Sequence, residues 1–387
     1  MKDNTLSFPK AQIEILLLED ISNAAEECYR QHGYSNIRMI PEALNEQALL
    51  NEIKNTHILG IRSKTHISKN VLEQAPHLLA IGAFCIGTNH IDLNAAAERG
   101  IPVFNSPFSN TRSVAEMVIA AAIFLIRKVP AKARAAYNGV WLKSAEGAHE
   151  IRAKTMGIIG FGNIGSQVAV LAEAMGMKVL YHDQEAKLSY GNAQPVESLE
   201  EILSRSDIIS LTLPENEDTV NLIGQKELGM MPKGSHLINF GRGKVVDLDA
   251  LAQAIREGHI GGAAVDVFPN EPQSQGASFK TPLQGLDNVL ITPHIGGSTE
   301  EAQWNIGNEV AEKVLAFVDE GKTTGAINIP ELSLPKMKHS RRVLNIHRNV
   351  PGVIRHLNSL LDEQGLNVEG QYLKADEEVG YVVVDVE

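Results

Sequence analysis

The chain has 387 residues, 43% apolar and 21% charged, enough for two or three domains each with its own core. A formal net charge of −12 excludes a nucleic-acid backbone or an anionic membrane surface as the main partner, because both demand a basic footprint. Two cysteines without a C-x-x-C pair, Cys28 and Cys85, an N-terminus (Met-Lys-Asp-Asn-Thr) without an apolar core, and a longest apolar run, Met117–Ile126, well short of the about 20 residues that span a bilayer together predict a cytoplasmic protein with free thiols.

Strands and helices alternate from the start. Ile13–Leu18, Asn36–Ile40, His57–Ile61, Leu78–Cys85 and Ile101–Asn105 read as strands. Ile21–His32, Asn45–Asn55 and Leu93–Arg99 read as helices between them, with Gly33 and Gly100 as stops. Such alternation predicts right-handed crossovers and a parallel sheet. This first unit carries no glycine fingerprint, so it is not the dinucleotide half. Ser113–Gly139 then reads as a long helix interrupted near Pro130.

The stretch Thr155–Gly165 is the most informative. An apolar run, Met156, Ile158 and Ile159, stops at Gly160, and Gly160, Gly162 and Gly165 fall at G-x-G-x-x-G spacing before a helical pattern at Ile164, Val168, Leu171 and Met175. The first glycine permits a tight turn, the second lets the backbone approach a pyrophosphate, and the third lets helix and strand pack closely. The unpaired N–H groups of the first helical turn face the anion. The next apolar run, Lys178–His182, ends at Asp183, 18 residues after Gly165 (183 − 165), where a carboxylate would accept hydrogen bonds from an adenosine ribose. A carboxylate there repels a 2′-phosphate and no Arg follows directly, so NAD is expected over NADP.

Further strands are predicted at Val179–Tyr181, Ile208–Leu213, His236–Phe240, Gly262–Val267 and Val289–Thr292. Ser298 and Glu301 have capping-box spacing and open a long helix over roughly 300–320. That helix is expected to return to the first domain and make it discontinuous. A proline-punctuated stretch follows, then a small unit with strands at Val343–His347, Leu366–Leu373 and Tyr381–Val386. Its helix carries Val353, Leu357, Leu360 and Leu361 on one face and ends at Gly365. The expected domains are 1–108 with 297–330, then 109–296, a linker over 331–338, and 339–387.

Three ionisable residues sit just past the ends of apolar strands: Arg242 between Gly241 and Gly243, Glu271 between Pro269-Asn270 and Pro272, and His294 after Thr292-Pro293. Ligands of an open parallel sheet bind outside the carboxyl ends of its strands, the edge at which the glycine fingerprint opens. Oxidising a secondary alcohol needs a base near neutral pKa for the hydroxyl proton, and histidine suits it. A carboxylate on the other ring nitrogen fixes the tautomer, and a guanidinium holds a substrate carboxylate in two-pronged fashion. Singly, each of the three reads better as loop or surface decoration; together, downstream of a cofactor fingerprint, they read as a catalytic set.

The motifs Gly160-Phe-Gly-Asn-Ile-Gly, Asn239-Phe-Gly-Arg-Gly-Lys-Val-Val-Asp, Asp266-Val-Phe-Pro-Asn-Glu-Pro and Thr292-Pro-His-Ile-Gly-Gly resemble the D-isomer-specific 2-hydroxyacid dehydrogenases. Gly60-Ile-Arg-Ser-Lys-Thr-His, Ile81-Gly-Ala-Phe-Cys-Ile-Gly-Thr-Asn, Phe104-Asn-Ser-Pro-Phe-Ser-Asn-Thr-Arg-Ser-Val-Ala-Glu and Gly139-Val-Trp-Leu-Lys narrow the resemblance to the bacterial branch that acts on 3-phospho-D-glycerate and carries a C-terminal ACT module. The resemblance implies a Rossmann-type doubly wound parallel sheet, a flavodoxin-like substrate domain and a small α+β ACT-like module. It implies Arg242, Glu271 and His294 as catalytic. It implies Gly160, Gly162, Asn163, Ile164, Gly165, Asp183, Phe240, Gly241, Asp266, Ile295, Gly296 and Gly297 around NAD, with Asp266 reaching the nicotinamide carboxamide. Arg62, Ser63, Asn110, Arg112 and Lys143 are implied on the substrate side, Lys143 across a dimer interface. His347, Asn349 and Asn367 match positions that bind serine as a feedback effector, and a homodimer or homotetramer is implied. The family's module runs βαββαβ, whereas this sequence reaches Glu387 after the third strand, so the module reads as truncated. Two rivals stay open: another D-2-hydroxy acid, such as 2-hydroxyglutarate formed from 2-oxoglutarate, and a non-catalytic NAD-sensing binder.

Overall fold

The computed structural model describes residues 8–272, 276–335 and 340–387. The N-terminal pentapeptide and positions 336–338 of the expected linker lie outside the described residues. The chain divides into two compact units, Met1–Ser109 with Glu300–Glu387, and Asn110–Thr299.

The first unit begins with β1 (Ile15–Leu18), α1 (Asn23–Gln31), β2 (Ile37–Ile40), α2 (Glu46–Glu52), β3 (Ile58–Ile61), α3 (Lys69–Glu73), β4 (Ala80–Ala83), α4 (Leu93–Glu98) and β5 (Val103–Asn105). Its five strands are parallel in the order β2-β1-β3-β4-β5, the flavodoxin-like arrangement. Ile15 and Leu17 face one core and Leu16 and Leu18 the other, so the strand is apolar throughout because both faces are covered. Short helices begin at side-chain caps: Ser22, Asn45, Ser68 and Asp92 each accept a hydrogen bond from an N–H of the first turn.

The second unit contains α5 (Thr111–Ile126), α6 (Val129–Tyr137), β6 (Thr155–Ile159), α7 (Asn163–Ala174), β7 (Lys178–His182), β8 (Gln194–Pro195), α8 (Leu199–Arg205), β9 (Ile208–Leu211), α9 (Gln225–Met230), β10 (His236–Asn239), α10 (Leu248–Arg256), β11 (Gly262–Val265) and β12 (Val289–Ile291). All seven strands run parallel in the order β12-β11-β10-β9-β6-β7-β8, which reverses direction between β6 and β9. Read from β8, this is the Rossmann order with one added strand, and the reversal is where such sheets open a crevice. The expected helix over Ser113–Gly139 is two helices. The break falls at Lys128, whose φ is +55°, and Pro130 sits in the first turn of the helix that follows, where its missing N–H costs nothing.

The first unit resumes with α11 (Glu300–Glu320), β13 (Arg341–Arg348), α12 (Val353–Glu363), β14 (Val368–Ala375) and β15 (Val379–Val386). The last three strands form an antiparallel sheet in the order β13-β15-β14. One face, Val382, Val384 and Val386, packs on Leu361 of α12, and the other, Tyr381 and Val383, joins the core of the first unit. Among the described residues no helix is long and apolar enough to cross a membrane.

Candidate active site

The glycine turn after β6 has a distinct reason at each glycine. Gly160 has φ +93°, and a Cβ there would lie 2.9 Å from the Thr212 carbonyl oxygen. A Cβ on Gly165 would lie 2.2 Å from the Gly160 carbonyl oxygen, so α7 can approach β6 only without a side chain. Gly162, at the α7 N-cap, has no protein atom within 4 Å of its Cβ position. The protein's own packing therefore does not require glycine there, and the turn leaves this stretch of backbone open to close approach by a ligand. Asn163 and Ile164 open α7 beside it. Asp183, one residue beyond β7, accepts hydrogen bonds from Phe161 N–H (2.7 Å) and Glu185 N–H (3.0 Å). About four lone-pair sites serve a carboxylate, so these two bonds orient it and leave capacity for a diol.

Arg242, Glu271 and His294 follow β10, β11 and β12. A Cβ on Gly243 would fall 2.1 Å from the Phe268 carbonyl carbon, so the first two loops touch backbone to backbone beside Arg242. Buried Asn239 shapes the Arg242 loop, donating to the Arg242 carbonyl (3.0 Å) and accepting from Gly241 N–H (3.2 Å). Phe240 is buried beside it, and Gly241 packs on the Leu213 backbone. Glu271 accepts from Phe268 N–H at 3.0 Å with one oxygen and meets His294 Nδ1 at 2.7 Å with the other.

Asp266 organises the His294 loop. It is 1% exposed, and its carboxylate accepts from the Thr292 hydroxyl (2.6 Å), Ile295 N–H (2.9 Å) and Gly296 N–H (2.8 Å). Its carbonyl accepts from His294 N–H at 2.8 Å. These bonds over-determine His294, whose φ of +55° is unusual outside glycine. They also occupy most of the carboxylate, leaving about one acceptor position for anything else. Gly296 is glycine because a Cβ would crowd Asp266, and Gly297 because one would lie 2.3 Å from Asn110 Nδ2.

Burial works to raise the Glu271 carboxyl. Hydrogen bonds from His294 and Phe268 N–H, with the charges of His294 and Arg242, outweigh it and hold the group below the usual carboxylate range. The hydrogen bond to Glu271 lifts His294 above an ordinary histidine, against burial and the Arg242 charge and with help from Asp266. With Nδ1 engaged, Nε2 is the atom that can exchange a proton.

The remaining expected residues are dispersed. Asn110 lies against Gly297 with its Oδ1 buried and unpartnered. Arg112 is exposed and paired with Glu116 along α5 at 2.6 Å, and Lys143 is exposed in the segment after α6. Arg62 and Ser63 follow β3 in the other unit. In the C-terminal module His347 packs on Gly380, Asn349 donates to the Asp376 carbonyl (2.7 Å), and Asn367 donates to Glu387 (3.3 Å). Sequence reading overlooked Thr212, Asn239 and Thr292, which brace the turns from the ends of β9, β10 and β12. Their signal was a hydrogen-bonding side chain closing an apolar strand.

Comparison with known proteins gives the family. The D-isomer specific 2-hydroxyacid dehydrogenase NAD binding domain matches residues 119–296, and the AHAS small subunit-like ACT domain matches residues 344–387. The D-3-phosphoglycerate dehydrogenases of Haemophilus influenzae and Escherichia coli K12 are each 50% identical over 99% of this chain, which covers 94% and 93% of their lengths. The chain belongs to the D-3-phosphoglycerate dehydrogenase family of D-isomer-specific 2-hydroxyacid dehydrogenases. It is an NAD-dependent oxidoreductase of that family. Its fold is that of D-lactate dehydrogenase from Aquifex aeolicus, solved with NAD and lactic acid, at TM-score 0.69 and 28% identity over 82% of this chain and 100% of the other. The open Cβ direction of Gly162 and the spare acceptor capacity of Asp183 fit the pyrophosphate and ribose of NAD.

Proposed function

We propose that this chain oxidises 3-phospho-D-glycerate to 3-phosphohydroxypyruvate, the first step of L-serine biosynthesis. The observation that carries the reading is the 2.7 Å pairing of His294 with Glu271, within the electrostatic reach of Arg242 and at the strand edge where the glycine turn opens. NAD, when bound, takes up the hydride from C2. His294 Nε2 accepts the C2 hydroxyl proton, and Glu271 stabilises the imidazolium that results. The Arg242 guanidinium binds the substrate carboxylate and polarises the C2 oxygen. In reduction the same imidazolium returns the proton. Asp266 holds the His294 loop, and its last acceptor position would be available to the nicotinamide carboxamide. Phe240, Gly241, Ile295, Gly296 and Gly297 are proposed to line the same cofactor.

Arg62 and Ser63 are proposed as contacts to the anionic substrate, with Asn110 and Lys143 as further polar contacts and Arg112 as a weaker one, given its pairing with Glu116. Tyr137 (92% exposed), Val140, Trp141 (84%) and Leu142 form an exposed apolar run that supports a homo-oligomer, dimer or tetramer. The ACT match supports a small-molecule effector, proposed to be L-serine at His347, Asn349 and Asn367. Two cysteines far apart in sequence with no C-x-x-C pair support a cytoplasmic enzyme.

The test follows NADH absorbance with 3-phosphohydroxypyruvate, its unphosphorylated analogue and 2-oxoglutarate as substrates, with and without L-serine. Preference for the phosphorylated compound is expected. Equal or better turnover on the other two would sink the substrate assignment, and no turnover on any would favour a binding protein.

A further inference from the structure

β1 is followed by two consecutive non-glycine residues with positive φ, Glu19 at +66° and Asp20 at +53°. Asp tolerates that region; Glu does not do so readily. The Glu19 backbone is held there by its N–H, which donates to the Ile40 carbonyl at 2.9 Å. The side chain is 7% exposed, and its two oxygens accept from Lys64 N–H (2.9 Å) and Thr65 N–H (2.8 Å). A strained residue thus commits a buried carboxylate to two backbone amides of the turn after β3. Burying a carboxylate is costly unless its hydrogen bonds are made, so the turn is fixed from beneath.

The same turn is fixed at its other end. The Arg62 carbonyl accepts from Cys85 Sγ (3.3 Å). Thr65 is fully buried and its hydroxyl accepts from Leu44 N–H (3.3 Å). The Arg62 guanidinium, by contrast, makes a long contact of 3.4 Å to the Glu19 carbonyl as its one hydrogen bond among the described residues. Backbone locked and guanidinium loosely held is the arrangement of a side chain kept for an anion.

We infer that Glu19 is the positioning residue for the Arg62–Thr65 turn, setting the affinity for the anionic substrate without taking part in the chemistry. This rests on the reading of Arg62 and Ser63 as substrate contacts. Glu19→Gln keeps the shape but sets an amide NH2 against a backbone N–H. It is expected to raise KM for 3-phosphohydroxypyruvate about tenfold, with kcat within about twofold and NADH affinity, read by fluorescence, unchanged. Arg62→Ala should raise KM as well, and the double variant should lose less than the two single losses combined, because Glu19 acts in part through Arg62.

A wild-type KM in Glu19→Gln alongside a raised KM in Arg62→Ala overturns the inference and leaves the substrate reading standing. A wild-type KM in Arg62→Ala overturns the reading, and the inference with it. Additive losses in the double variant overturn the inference, since Glu19 would then act elsewhere. Should Glu19→Gln melt, amide exchange on the unmodified enzyme decides: protected Lys64 and Thr65 amides are expected, and exchange at loop rates overturns the role.

Discussion

His294 Nδ1 lies 2.7 Å from Glu271 Oε2, and the contact drives the two groups' proton affinities apart, the carboxyl downward and the imidazole upward. The partners are 23 residues apart on loops after adjacent parallel strands, β11 and β12. A base whose affinity is raised by a permanent anion takes a proton from an alcohol more readily than a free imidazole would.

Glu271→Gln removes that anion. In oxidation His294 must begin neutral, so the rate rises with pH as the imidazolium is lost. In the variant this rise should move to lower pH, because the histidine's affinity falls once the first cause of its elevation is gone. The plateau should drop as well, since a Gln amide no longer stabilises the imidazolium. His294→Asn should lower turnover by about 10²–10⁴-fold, abolish the pH dependence and spare NADH affinity. Unchanged pH profiles in Glu271→Gln would remove the pair from the mechanism.

The three glycines of the turn should separate under substitution. Gly165→Ala drives a Cβ to 2.2 Å from a carbonyl oxygen and should destabilise the second unit, read as a lower melting temperature. Gly162→Ala meets no protein atom and should change stability by no more than about 1 kcal/mol, the scale of an N-cap change. Its loss should appear in NADH affinity. Equal binding by Gly162→Ala and wild type would contradict the cradle.

His236, at the opposite end of β10, is 8% exposed, and burial lowers its pKa from 6.5 to about 4, against the pull of the Asp207 backbone and charge. Nearby His149 and Lys128 push in the same direction as burial. The unfolded chain then binds a proton that the folded one refuses. Stability should be complete above pH 6.5 and decline as pH falls toward 4, by up to about 3 kcal/mol. His236→Leu should flatten this part of the acid limb in urea unfolding at pH 7 and pH 5. An identical decline in the variant would count against it.

Arg342 binds Asp385 through two bonds, 2.7 and 2.9 Å, and also donates to the Glu320 carbonyl (2.8 Å) and the Pro335 carbonyl (2.9 Å). Their side chains are 13% and 1% exposed. Asp385→Ala strands a buried guanidinium and should cost about 3–5 kcal/mol, whereas Arg342→Met with Asp385→Leu should be close to neutral. Thermal unfolding of the single and double variants compares them; equal losses would show that the pair is not a unit.

Much of the fold was legible because its causes are local. β3 and β9 are short apolar runs, α12 runs where its periodicity predicts, and α11 fills the span expected after the Ser298–Glu301 pair. Lys128 was not legible: its left-handed backbone breaks the helix before Pro130, and nothing about a lysine signals that. α3 and β8 were missed because five and two residues are too few to establish a period.

The sequence by itself determined the glycine turn, the carboxylate after β7, and the presence of Arg242, Glu271 and His294 at strand ends, since each depends on residues within a turn or two. Only the tertiary structure decided that Glu271 meets His294, that Asp266 is spent on the loop it belongs to, and that Glu19 grips a turn 45 residues away. Those contacts depend on which strands lie side by side and on how their loops bend after leaving the sheet. Neighbouring strands of a parallel sheet need long crossover connections, whether helical or irregular, so the residues that meet at its rim are far apart along the chain.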